Sequence, residues 1–188
     1  MAVHVGIIDQ DPVRLITPLL DNRTVSRHIV FIGDRSQESM YVRLHTVLNQ
    51  RDITSEFFEI PAGSNIADIK ASIRELAEDL KQRNLDVKLN ASCGLRHRLL
   101  SVYEVFRTYH WPIFVVEPNS DRLCWLYPDG NKDTQVQDRI TISDYLTISA
   151  HVASSVSKIC HRNWIKSFTN WANAGQATLW SWALVLRH

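Results

Sequence analysis

Long apolar runs are missing from this sequence. The longest, such as Ile113-Phe114-Val115-Val116, fall far short of the roughly 20 residues that span a bilayer, so no membrane association is expected. The opening residues Met1-Ala2-Val3-His4-Val5-Gly6 lack the basic segment and apolar core of a secretory signal, and the expected location is cytoplasmic. Cysteine is scarce: Cys93, Cys124 and Cys160 are odd in number, widely spaced and without a CxxC, which argues against a disulfide framework or a zinc site. An excess of charge is missing too. Lys and Arg total 21 against 20 Asp and Glu, for a net charge of +1. No general attraction to polyanions follows; direct duplex nucleic-acid binding is not expected, and any nucleotide contact must come from a local site.

Several catalytic signatures are also absent. There is no GxGxxG and no GxxxxGK[ST], which weighs against nicotinamide-dependent enzymes and NTPases. His28, His45, His97 and His110 have no metal-ligand spacing, and no HExxH occurs, so neither a metal nor a cofactor is expected. Ser92 is not in a G-x-S-x-G elbow, no local Ser-His-Asp set can be assembled, and no nuclease-like D…(E/D)xK constellation falls on the strands. No catalytic residue is nominated.

What is present is a regular alternation of short β-branched runs with amphipathic segments. Val3 to Ile8 reads as a strand, followed by a helix from Pro12 to Leu20, with proline suited to a first turn. Ile29-Val30-Phe31-Ile32 reads as a strand buried on both faces. Ser36 is the expected cap of a helix over Gln37 to Asn49, with Met40, Leu44, Val47 and Leu48 inward. Glu56 to Ile60 is a third strand. Ser64 or Asn65 then caps a helix whose Ile66, Ile69, Ile73, Leu76, Ala77 and Leu80 recur at threes and fours. A strand over Val87 to Ala91, a helix over Leu95 to Tyr109, and strands at Trp111 to Val116 and Leu123 to Tyr127 complete the pattern. The expected fold is α/β, a Rossmann-like three-layer sandwich with a mainly parallel six-stranded sheet, formed by residues 1–148.

In such sheets ligands bind beyond the carboxyl ends of the strands, near a switch point. The candidates are therefore Asp9 and Gln10, Gly33 and Asp34, 61–63, Asn90 to Arg96, and 117–119. Among these Ser92-Cys93-Gly94 stands out. Small residues let the turn approach a ligand, the following helix start offers free N–H groups, and Ser92 adds a hydroxyl. Arg96 adds a fork of donors where it opposes the helix dipole; His97 and Arg98 add to the local positive charge. The plain alternative is a capped helix with solvated basic residues. Asp9, Gln10, Asp34 and Arg35 read equally well as ligand contacts or helix caps.

The stretch Asn90-Ala91-Ser92-Cys93-Gly94-Leu95-Arg96 resembles the N-x-T-G-G-T-K motif of CARF (CRISPR-associated Rossmann-fold) sensor domains. Residues 1–148 resemble the N-terminal half of the DUF-type CARF nucleases, whose members carry a linker and a PD-(D/E)xK nuclease beyond it. VHVGIIDQDPVRLITPLL, FFEIPAGSN, NASCGLRHRLLS, YHWPIFVVEPNSD and CWLYP carry the match. The resemblance implies a homodimer whose paired strand-end surfaces bind a cyclic oligoadenylate, cyclic tetra-adenylate first, in type III CRISPR antiviral defence. It puts Asn90, Ser92, Gly94 and Arg96 against the ligand, with Asp9 and Gln10 after the first strand; Cys93 and Leu95 are candidates as members of the same turn. Cys93 stands for a Gly, Leu95 for a Thr and Arg96 for a Lys, departures that bear on ring size and affinity. A ring nuclease that cleaves the bound ligand is the enzymatic alternative. A ligand-responsive DNA-binding regulator would need a winged-helix segment that the sequence does not offer.

Beyond Asp144 no Asp or Glu occurs, and Trp164, Trp171, Trp180 and Trp182 fall without helical or strand period. Such disorder of pattern conflicts with a selected fold. Codons exist for which one base lost after Ile148 restores an acid-rich frame containing LDQELYQLGERWASNALEL, which has a helical period. The expectation is that residues 149–188 are an out-of-frame or disordered tail, that the chain is a sensor shortened before its nuclease, and that it senses without cutting. A genuine Trp-rich docking tail is the alternative. Sequencing the coding DNA separates the two.

Overall fold

The β-branched runs pair as the alternation requires. Strands β1 (Ala2–Ile7), β2 (His28–Gly33), β3 (Thr54–Glu59), β4 (Asp86–Asn90) and β5 (Ile113–Val116) lie parallel in the spatial order β3-β2-β1-β4-β5. The hairpin strand β6 (Arg122–Tyr127) adds antiparallel to β5, and β7 (Thr134–Gln135) antiparallel to β6. The sheet thus has seven strands where the sequence predicts six. The seventh is two exposed polar residues, too short to show a period of two. The computed structural model describes residues 2–9, 12–21, 26–63, 65–117, 120, 122–128, 133–137 and 139–149.

Helices cover both faces. On one, α1 (Val13–Leu20) and α2 (Glu38–Asn49) bury Leu15, Ile16, Leu19, Leu44, Val47 and Leu48 against Ile29 and Phe31. On the other, α3 (Ile66–Gln82) and α4 (Arg96–Thr108) bury Ile69, Ile73, Leu76, Ala77, Leu80, Val102, Val105 and Phe106 against Val3, Val5, Ile7, Val30, Ile32, Val87, Leu89 and Ile113. Each fully buried aliphatic or aromatic side chain contributes about 1.5–3 kcal/mol, so these two layers dominate stability. Ile66, expected inward, is half exposed, as the first residue of α3.

The caps differ in detail from expectation. Asp34, not Ser36, starts the second helical segment: its carboxylate accepts from the Ser36 N–H, and Gln37 bonds back to the Asp34 N–H, a reciprocal box that opens on a 3-10 turn over 35–37. Asn65 caps α3, accepting from the Ala67 N–H at 3.1 Å; Ser64 lies outside the described residues. A short helix absent from the sequence reading, α5 (Ile142–Ile148), is pinned to α2 by an Arg51–Asp144 ion pair and by Arg43 Nε donating to the Ile148 carbonyl at 2.9 Å. The chain divides into two compact units, Met1–Ile148 and Ser149–His188. Apart from Ser149 the second unit, and with it the expected tail, lies outside the described residues. Among the described residues no helix is long and apolar enough to cross a membrane.

Candidate functional site

The chain leaves β1 toward β3 on one side and β4 toward β5 on the other, so the crevice between the carboxyl ends of β1 and β4 is the switch point. Asp9 follows β1 here and the turn 91–95 follows β4. The turn is built from Asn90 outward. Asn90 is fully buried, and its amide donates to the Arg14 carbonyl at 3.0 Å and the Leu15 carbonyl at 3.3 Å. The first of these bonds has a sequence cause. Pro18 lies inside α1 and has no N–H to give to the carbonyl four residues back, which is that of Arg14. Asn90 supplies the missing donor and locks α1 onto the crevice.

The other end of the Asn90 amide holds the turn. Its Oδ1 accepts from the Ser92 N–H at 3.1 Å and from the Ser92 hydroxyl, which in turn accepts from the Val116 N–H at 2.7 Å. The Ser92 hydroxyl therefore ties β4 to β5. Cys93 is buried and belongs to the core cluster on the α1 face of the sheet. Gly94 adopts φ +117, and an added Cβ would stand 3.0 Å from Ile7 side-chain atoms; glycine is required on both counts. The Gly94 N–H donates to Asp9 Oδ2 at 3.2 Å, so a carboxylate of the chain already occupies one donor of the turn.

Leu95 and Arg96 behave differently. Leu95 is half exposed and its side chain provides no cap. Arg96 is exposed, with no hydrogen bond or ion pair among the described residues. Two residues on, Arg98 is 5% exposed and bonds Asp34 Oδ2 through Nη2 at 2.7 Å and Gln37 Oε1 through Nη1 at 3.4 Å. The Gln37 amide also donates to the Ile8 carbonyl. Arg98, Gln37 and Asp34 thus clamp α4 to the ends of β1 and β2. Burial alone would push the Asp34 carboxyl up, but the bonds from Ser36 and Arg98 outweigh it and hold it below the usual carboxylate range. Arg98 is consequently no source of surface charge, contrary to the sequence reading. His97 Nε2 is buried without a hydrogen-bond partner among the described residues.

The structure brings Asp9, Asn90, Ser92, Cys93, Gly94, Leu95 and Arg96 together at one crevice, with Asp34 on its β2 side. Gly33 serves packing: a Cβ there would stand 2.9 Å from Gln37 Oε1. Gln10, Pro118 and Asn119 lie outside the described residues. Residues 61–63 are exposed, and Glu117 pairs with Ser120 and Arg122. Pro18, Gln37 and the pairing of Arg98 escaped the sequence reading. A proline six residues into a helical pattern was the available signal for the first, since it orphans a carbonyl that some side chain must reach. Spacing along the chain carries no signal for an Asp34–Arg98 pair.

The sequence model of the Card1 CARF domain matches residues 3–145. The chain belongs to this family. Among solved structures, protein VC1899 from Vibrio cholerae is 77% identical with a TM-score of 0.77; the match covers 78% of this chain and 39% of that one. The CARF domain is also similar to Can2 from Sulfobacillus thermosulfidooxidans in complex with cyclic tetra-adenylate, with TM-score 0.66, 14% identity, and 90% of this chain and 50% of that one covered. A type III CRISPR defence DNA nuclease activated by cyclic oligoadenylate has TM-score 0.62 at 14% identity, over 95% of this chain and 31% of that one. The chain therefore spans half or less of the length of each of these proteins, and the two distant ones establish the fold alone. No curated protein sequence matches it.

Proposed function

We propose that residues 3–145 form a sensor for a cyclic oligoadenylate, cyclic tetra-adenylate before other rings, acting in type III CRISPR antiviral defence. The observation that carries this reading is the crevice at the switch point. A rigid, internally bonded turn presents Arg96 outward at a helix start, where its guanidinium is free to donate to a phosphate. Family membership and the ligand held by Can2 support the choice of ligand.

A dimer belongs to the proposal on grounds of symmetry. A ring of four identical nucleotides contains a two-fold axis, and so does the commonest protein dimer. Two copies facing each other across that axis would offer each half of the ring the same turn and the same Arg96. Leu95 and Leu100, both exposed near the start of α4, supply apolar surface for such a contact. The bound ring would hold two copies in one relative orientation, and that orientation is the signal passed to an effector domain.

Calorimetric titration against cyclic tri-, tetra- and hexa-adenylate tests the proposal, with light scattering to count copies per ring. The expected outcome is saturable binding, tightest for the tetramer, at one ring per two chains. Absence of binding to all three rings would sink it. Linear products after incubation would replace sensing with ring opening. Metal-dependent cleavage of single- or double-stranded substrates in the presence of ligand would contradict a role confined to sensing.

A further inference from the structure

At the far end of α4 the chain turns into β5 through Tyr109-His110-Trp111. There α3 and α4 border a cavity of about 490 Å³ lined by Arg74, Lys81, Thr108, Tyr109, His110 and Trp111. That volume is in the range of small-molecule sites, about 300–1,000 Å³. At 1.5 Å per residue it lies roughly 18 Å along α4 from Arg96, so the crevice and the cavity are separate places.

The lining carries the donors of Arg74, Lys81, His110 and Trp111 and no carboxylate. A helix C-terminus normally exposes carbonyls and disfavours anions. Here two of the last carbonyls are used: Phe106 O accepts from the Tyr109 and Trp111 N–H groups at 3.1 and 3.3 Å, and Arg107 O accepts from the His110 N–H at 3.1 Å. That capping puts His110 at φ +57, a left-handed conformation that costs a non-glycine residue about 1–2 kcal/mol. The His110 ring is held by the Tyr127 hydroxyl at 2.9 Å. Arg74 has no hydrogen bond or ion pair among the described residues, and neither has the Trp111 indole N–H. Lys81 Nζ stands 5.8 Å from the Tyr109 ring centroid, and Tyr109 stacks on Trp111 at 4.9 Å and 26°. Arg107 lies over the Tyr127 ring beside them. Glu78 lies on the same face of α3, four residues after Arg74 and three before Lys81, but pairs with neither and is not part of the lining.

Cations without a carboxylate partner set beside stacked aromatics fit a ligand that is anionic at one end and planar at the other. We propose that this cavity binds a nucleotide, its phosphate between Arg74 and Lys81 and its base against the Tyr109–Trp111 pair. A free mononucleotide and a nucleotide within a single strand share that chemistry. The assignment goes beyond the cyclic oligoadenylate reading and does not depend on it.

The test uses the full 188-residue chain labelled with 5-fluorotryptophan. Fluorine NMR and calorimetry follow titration with uridine 5′-monophosphate, uridine, inorganic phosphate and a thymidylate decamer; pyrimidines keep the probe away from an adenylate site. The mononucleotide is expected to bind roughly tenfold tighter than either uridine or phosphate, and Arg74→Ala/Lys81→Ala to lose roughly tenfold, or about 1.4 kcal/mol. Arg96→Ala should leave this binding unchanged. Both substituted α3 residues are exposed, so the thermal midpoint should hold. Tighter binding of the decamer assigns the site to single strands, tighter binding of the mononucleotide to free nucleotides, and either supports it. Equal affinity in the double variant overturns the proposal. So does equal binding of phosphate and mononucleotide, loss of binding in Arg96→Ala, or no saturable binding of any probe.

Discussion

The two halves of the stretch from Asn90 to Arg96 have opposite fates. Asn90, Ser92, Cys93 and Gly94 are spent on the fold: they bond α1, β5 and Asp9, lie buried in the core, or pass close to Ile7. The side chains of Leu95 and Arg96 make no hydrogen bond or ion pair among the described residues. Arg96 and Arg98 sharpen the contrast. They are the same residue type two positions apart, and at about 100° per residue they leave the helix on nearly opposite sides. One faces solvent and the other a buried carboxylate. A short motif that resembles a ligand-binding signature is thus mostly a device for holding one or two residues in place.

The largest effect expected from breaking the holding half falls on the clamp. Arg98→Ala leaves Asp34 buried without its guanidinium and should cost about 3–5 kcal/mol, measured from denaturant midpoints. A loss under about 1 kcal/mol would mean the pair is not a clamp. The pH dependence has a definite sign. The folded value of Asp34 lies below the ordinary carboxylate value of 3.8, so its contribution is complete above that value and lost as pH falls through the lower, folded one. Wild type and variant should therefore converge on acidification below about pH 4 and stay apart at neutrality.

Next comes Asn90→Ala. It removes a donor from the carbonyl that Pro18 orphans and an acceptor from Ser92, each a buried group whose neglect costs about 1–3 kcal/mol. A total near 3 kcal/mol is expected, with hydrogen exchange rising in α1 before α3. Equal acceleration in both helices would show that Asn90 does not lock α1. Gly94→Ala should follow at about 1–3 kcal/mol, because both the left-handed backbone and the Ile7 contact oppose a Cβ. A variant as stable as wild type would show that the turn can refold around the methyl group.

Much of this was legible in the sequence because it rests on periodicity. The inward stripe of α3 and the apolar runs of β1 and β2 give the layers and the parallel order. The edge was less legible: β7 is too short to carry a period, and α5 is held to α2 by an ion pair and a carbonyl bond rather than by a continuous apolar stripe. In the crevice, residue type identified which positions gather at the switch point but not which are consumed there. Asn90, Ser92 and Arg96 are equally polar in a sequence. Only the Pro18 gap, the Val116 N–H and the buried Asp34 decide that the first two, and Arg98 with them, face inward.

That leaves the presenting half, where the expected effect on the fold is smallest. Arg96→Ala removes an exposed side chain with no partner among the described residues and should change stability by no more than about 0.5 kcal/mol. If the crevice binds a cyclic oligoadenylate, the same substitution should weaken that ligand by about 1.5–3 kcal/mol, the range of a hydrogen bond to a charged group. Arg96→Lys should recover only part of the loss, since an ammonium keeps the charge but not the planar fork. The two readouts must separate. Asn90→Ala and Gly94→Ala would lower affinity only by loosening the turn, so their binding losses should track their stability losses; Arg96→Ala alone should lose affinity at constant stability. If it binds as wild type does while Asn90→Ala does not, the turn itself contacts the ligand and the division between holding and presenting residues is wrong.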